Sequence, residues 1–168
     1  MAATIDEVDR IVDAWHRELP ELDVEPLQIL SRVSRLSRHL DRARRAAFAQ
    51  HHLEVWEFDV LSALRRDGEP YELSPGALVA RTMSTSGTMT NRIDRLAARG
   101  LVERHPDPHD RRGVRVRLSP QGRQVVDAAL ADLVARERVL LSHLSDEDQQ
   151  VTAALLRRLL LPLDEPTP

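Results

Sequence analysis

The chain has 168 residues, enough for one ordinary domain whose core needs no disulfide or metal staple. It contains no cysteine, which excludes a disulfide scaffold, a cysteine-based zinc site and a cysteine nucleophile. With 42% apolar and 30% charged residues, the composition is globular rather than disordered.

No apolar run reaches the roughly 18 residues of a membrane helix, so no membrane partner is expected. Asp6, Glu7 and Asp9 stand where a signal peptide would be basic, and a cytoplasmic protein is the expectation. The net charge of −3 hides a segregation. Residues 1–30 hold eight acids and two arginines, whereas residues 81–117 hold nine arginines and four acids. A local basic patch can bind phosphate on an acidic protein, because screening confines its field to about a Debye length. All 24 basic residues are arginine, a habit that a biased coding composition explains as well as phosphate recognition does.

In chain order, Ile5, Val8, Ile11, Val12, Trp15 and Leu19 predict an amphipathic helix from Thr4 to Leu19, ended by Pro20. Pro26 opens a long helix to Gln50, with Ile29, Leu30, Val33, Leu36, Leu40, Ala43 and Ala47 on one face. Its other face carries Arg32, Arg35, Arg38, Arg42 and Arg45, read as solvated or paired with the acidic N-terminus. A third helix, Glu54 to Arg66, shows Val55, Phe58, Leu61 and Leu64 as its stripe and stops at Asp67-Gly68. Ser74-Pro75 predicts a short helix to Thr82. Ser84-Thr85-Ser86 caps another to Ala98, with Met89, Ile93, Leu96 and Ala97 inward and Arg99-Gly100 as its stop.

Residues 101–104 read as a strand, 105–113 as a charged turn, and 114–118 as a half-exposed strand with period two. Together they predict a β-hairpin. Ser119-Pro120 starts a helix from Gln121 to His143. Ser145 and the acids after it start a last helix through Leu161, ended by Pro162.

Three helices followed by a hairpin define a winged helix-turn-helix. A helix that enters a DNA groove needs short polar side chains for close approach and a few long donors. Ser84, Ser86, Gly87, Thr88, Thr90 and Asn91 supply the first, and Arg92 and Arg95 the second. Arg111 and Arg112, beside Gly113, supply a cationic wing tip. The seven histidines form no HExxH, and His51 and His52 are adjacent, so no metal site is expected. No GxSxG, P-loop or dinucleotide fingerprint is present, so neither enzyme nor cofactor is expected.

The run from Asp107 to Gly122 resembles the wing signature of the MarR family of bacterial transcription regulators. That signature is an acid followed by two arginines (Asp110, Arg111, Arg112), an alternating strand containing Arg115, Leu118-Ser119, and Gly122 three residues on. Gly100 to Arg104 and the helix before it resemble the same family's first wing strand and recognition helix. The resemblance implies a mainly α fold with a small β-hairpin. It places an added helix and a dimerisation helix in residues 1–50, the DNA-binding region in 51–120 and C-terminal dimerisation helices in 121–168, all one integrated domain. It also implies a homodimer on double-stranded DNA, with Asp110, Arg111, Arg112 and Arg115 in the wing. The apolar stripes independently call for a partner surface, which would use Leu30, Val33, Leu140, Leu155 and Leu159.

The acidic first helix with Trp15 resembles the urate-responsive branch of that family. On that resemblance Trp15, Asp59, Arg92 and Arg104 would bind a small anion such as urate, and His39 would lie at the dimer interface. A planar anion would stack on indole and meet guanidinium donors. A tricarboxylate on the same arginines, or a DNA-binding or helical interaction protein with no ligand gate, are the alternatives.

Overall fold

A computed structural model describes residues 5–108, 110 and 113–164. Its elements are α1 (Glu7–Glu18), α2 (Pro26–Ala49), α3 (Val55–Arg66), β1 (Glu72–Leu73), α4 (Pro75–Thr82), α5 (Ser86–Ala98), β2 (Val102–Pro106), β3 (Val114–Leu118), α6 (Pro120–Leu141) and α7 (Asp146–Asp164). The chain divides into two compact units, the first ending at Ala46 and the second starting at Ala47.

In the first unit, α1 begins at Glu7 because Asp6 caps it. The Asp6 carboxylate accepts from the backbone of Val8 (2.7 Å) and Asp9 (3.1 Å), and Asp6 N donates in turn to the Asp9 carboxylate (2.8 Å). Arg32 of α2 donates to both acids, at 2.9 Å to Asp6 and 2.7 Å to Asp9, and so ties the two helices together. The Asp9 N–H, aided by Arg32 and Val8, holds the Asp6 carboxyl below the usual carboxylate range. Of the α1 stripe, Val8 and Val12 are buried with Val24, whereas Ile5, Trp15 and Leu19 are exposed.

The second unit has its own core. Phe48, at the end of α2, stacks on Phe58 of α3 at 4.0 Å between centroids. Leu61 and Leu64 of α3, Leu78 of α4, Met89, Ile93 and Leu96 of α5, Val116 of β3 and Val126 of α6 complete it. Ser74 and Thr85 cap α4 and α5 by accepting from Ala77 N and Thr88 N. Gly100 takes φ +69°, the left-handed conformation that ends α5.

The expected hairpin is part of a three-stranded antiparallel sheet of order β1-β3-β2. The added strand, β1, has two residues and pairs Glu72 with Arg117 and Leu73 with Val116. It is too short to carry any alternation. The first wing strand reaches Pro106 rather than Arg104, with Val102 opposite Leu118 and Pro106 opposite Val114.

The expected stop at Pro162 is corrected. It lies inside α7, which continues to Asp164. A proline's fixed φ of about −65° is helical, so the chain follows the helix path for two residues beyond it at the cost of one backbone donor. No α7 residue is buried, and Val151, Leu155, Leu159 and Leu163 are exposed. Among the described residues no helix is long and apolar enough to cross a membrane.

Candidate nucleic-acid interface

Helices α4 and α5 form the helix-turn-helix, joined through Met83 in the left-handed conformation. Burial of Met89, Ile93 and Leu96 fixes which face of α5 looks outward. Ser86, Gly87, Thr88, Thr90, Asn91 and Arg95 are exposed on it. Ser84, just before the helix, is half-buried, with its Oγ 3.0 Å from Thr82 Oγ1. The N-terminal half of α5 therefore offers a low polar surface, the part of a recognition helix that approaches base edges.

The C-terminal half is gripped from both flanks. On one side, Arg92, Arg95 and Arg99 fall at i, i+3 and i+7 and face the start of α3. Arg92 lies 5.3 Å, and Arg95 4.8 Å, from the centre of the Trp56 ring. Arg95 also donates to Glu54 Oε1 at 2.7 Å, while the Trp56 indole N–H donates to Glu54 Oε2 at 2.6 Å. These two bonds hold the Glu54 carboxyl below its usual range. Their stabilisation is thus present at neutral pH and fades as pH falls through that lowered value.

One turn further on, Arg99 donates to both oxygens of Glu57 (2.6 and 2.7 Å) and to His52 O (2.8 Å). Glu57 is 2% exposed and also accepts from Glu54 N. On the opposite flank, Asp94 meets Arg104 of β2 at 2.7 Å.

The buried carboxylate decides which of these contacts matters most. Exposed pairs such as Arg95–Glu54 contribute about 0–1 kcal/mol. Removing Arg99 would strand a buried charge, a loss of about 3–5 kcal/mol when both partners are enclosed. Since the Arg99 side chain is 39% exposed, the Arg99→Ala variant is expected to lose about 2–3 kcal/mol. Urea denaturation checks this, and a change below about 0.5 kcal/mol would contradict the burial argument.

At the wing, Asp107 N donates to Gly113 O (3.0 Å) and Gly113 N to Asp110 O (2.8 Å), closing the loop. A Cβ on Gly113 would sit 2.8 Å from Asp107 Cβ, so the turn requires glycine. Arg115 Nε lies 2.8 Å from Asp107 Oδ2 without hydrogen-bond alignment, an ion pair that braces the base of the wing. Asp110 is exposed at the tip. Arg111 and Arg112 lie outside the described residues.

Of the residues expected to meet an anion, Asp59 is half-buried on α3, Arg92 faces Trp56, and Arg104 is engaged by Asp94. Arg92 and Asp94 are two residues apart, hence about 200° apart around α5. Arg92 and the Arg104–Asp94 pair thus occupy different sides of that helix. Trp15 belongs to the first unit, where it is exposed. Of the residues expected at a dimer interface, Leu30, Val33, Leu140, Leu155 and Leu159 are exposed apolar groups, and His39 is exposed as well. Among the described residues no group of three or more His, Cys, Asp or Glu side chains could hold a metal.

The sequence reading missed Glu54, Trp56 and Glu57. Trp56 is one position off the α3 stripe, and an aromatic residue there was the available signal. Glu54 and Glu57 show the i, i+3 spacing of a capping pair, whose second function depends on tertiary contact.

The MarR-family profile matches residues 52–113. The chain is 40% identical over 152 residues to the HTH-type transcriptional regulator PecS of Dickeya dadantii, covering 90% of this chain and 92% of that one. A solved structure of Bordetella bronchiseptica BpsR is 30% identical, with TM-score 0.59 over 76% of this chain and 98% of that one. The fold also matches a MarR family protein from Bacillus stearothermophilus at TM-score 0.74 and 23% identity, over 86% and 99% of the two chains. With these relatives, the fold is that of a winged helix-turn-helix transcription regulator, a DNA-binding protein. The chain belongs to the MarR family.

Proposed function

We propose that two copies of this chain form a homodimer that represses transcription from a pseudo-palindromic operator and leaves it when a small planar anion binds. The exposed small-polar face of α5, gripped along both flanks of its C-terminal half, carries this reading. It suits the major groove, and a two-fold pair would present two such helices about one DNA turn apart. The apolar groups left exposed on α2, α6 and α7 supply dimer contacts, Leu30, Val33, Leu140, Leu155 and Leu159 among them, and His39 is a further interface residue. Ser84, Ser86, Gly87, Thr88, Thr90 and Asn91 meet the groove with Arg95. Asp110, Arg111, Arg112 and Arg115 form the wing.

Release requires a ligand with different affinities for two states. Arg104 can provide this difference. An anion that takes its guanidinium leaves Asp94 unneutralised on the reading helix, beside the DNA phosphates. Asp59 and Arg92 are the further candidates for ligand contact, and Trp15 is tested separately. Urate is the first candidate. BpsR is described as regulated in its DNA binding by 6-hydroxynicotinic acid, which makes aromatic acids a second class to test.

The test is a titration of DNA from upstream of the chain's own gene, with and without urate, xanthine, citrate and 6-hydroxynicotinate. At least one is expected to weaken DNA binding tenfold or more (roughly 1.4 kcal/mol) and to raise the melting temperature of free protein. Binding that none of them changes, with no thermal shift, would leave a regulator without this gate. A Trp15→Ala variant with full response would remove Trp15 from the site.

A further inference from the structure

Arg95 stands on the outer face of α5, yet its guanidinium is folded back onto α3. It rests on the Trp56 ring and donates to Glu54, whose other oxygen is occupied by the Trp56 indole. Trp56 is half-buried and is fixed at both ends, by that bond and by Arg92 on its ring. A flat π-face and an anionic oxygen are the two features that DNA also offers a guanidinium, as a base and a phosphate.

We infer that Glu54 and Trp56 form a holding site for Arg95 that competes with DNA, so that Glu54 sets how tightly this regulator grips the duplexes that Arg95 reads. The inference rests on α5 facing DNA. The Arg95 and Glu54 side chains are 54% and 57% exposed, so the pair is weak enough for a well-matched groove to break. On a random duplex, Arg95 gains one phosphate contact and loses the carboxylate and the ring, an exchange with little net gain. On the operator, a guanidinium aligned with a base edge gains more. The hold on Glu54 has to be given up wherever Arg95 is used, so it lowers affinity for the operator in full, and lowers affinity for a random duplex, where Arg95 can stay on Glu54, by less.

The experiment measures binding of the full chain to its upstream DNA and to a random duplex at several salt concentrations. The proteins are wild type, Glu54→Asp, Glu54→Gln, Arg95→Ala and Glu54→Gln/Arg95→Ala, with melting curves for each. Glu54→Asp keeps the charge and a good helix cap but shortens the reach to Arg95. Both Glu54 variants are expected to bind upstream DNA about fivefold more tightly. Their affinity for the random duplex should change less than twofold. In the Arg95→Ala background the gain should vanish, as a double-mutant cycle requires of coupled groups.

A gain in Glu54→Gln that survives without Arg95 would reduce Glu54 to a general repulsive charge and overturn the inference. Weaker binding in either Glu54 variant, at unchanged melting temperature, would do the same. If Arg95→Ala leaves every affinity unchanged, this inference fails while the DNA-binding reading stands. A wild-type protein that binds no duplex removes both.

Discussion

Substituting Gly122 with alanine is expected to destabilise this protein by about 3 kcal/mol or more, the upper end of overpacking effects. Gly122 lies in the first turn of α6, where its N–H donates to Ser119 Oγ at 2.9 Å. Ser119 in turn donates to Gly100 O at 2.7 Å, which pins the end of α5 to the start of α6. The helix therefore presses on the chain just before β2. A Cβ on Gly122 would sit 2.0 Å from Leu101 O and 2.9 Å from Leu118 Cδ1. The first obstacle is backbone and cannot rotate away. Leu101 O is also fixed by the bond it accepts from Ser119 N (3.1 Å). Relief requires moving α6 away from the sheet and breaking both cap bonds. For a chain of this length the expected fall in melting temperature is roughly 6–12 °C. Urea denaturation gives the free energy directly, and a loss under about 0.5 kcal/mol would contradict the packing.

Replacing Arg111 and Arg112 together with alanine is expected to weaken binding to every duplex by about tenfold to a hundredfold. The slope of log K against log salt should flatten by about two. The described residues on either side of them are braced by Asp107 with Gly113, Asp110 with Gly113, and Arg115 with Asp107. Because phosphate contacts carry no sequence information, the preference among duplexes should survive this change. Unchanged affinity and slope would remove the wing tip from the interface.

Much of this architecture is legible in the residue order, for local reasons. Ser74-Pro75, Thr85 and Ser119-Pro120 are helix starts whose chemistry acts within three residues, and the structure uses each as a cap. Gly100 and the alternation from Val114 to Leu118 are equally local. The parts that were not legible depend on distant partners. Strand β1 exists because Glu72 finds Arg117, 45 positions later. The grip on α5 depends on Glu57 and Arg99, 42 positions apart, and on Trp56 lying under two arginines. Proline's helix-breaking tendency misleads at Pro162, whose helical φ lets α7 run two residues further. Arg95 is the instructive case. Its exposed position on α5 follows from helical spacing, but the folding of its guanidinium onto Glu54 is tertiary.

The central claim is tested most directly by the mass of the complex formed between purified protein and upstream DNA at low ionic strength, together with hydroxyl-radical footprinting. Two chains per duplex are expected, protecting two half-sites centred about ten base pairs apart. A single chain that protects no double-stranded fragment would contradict the account.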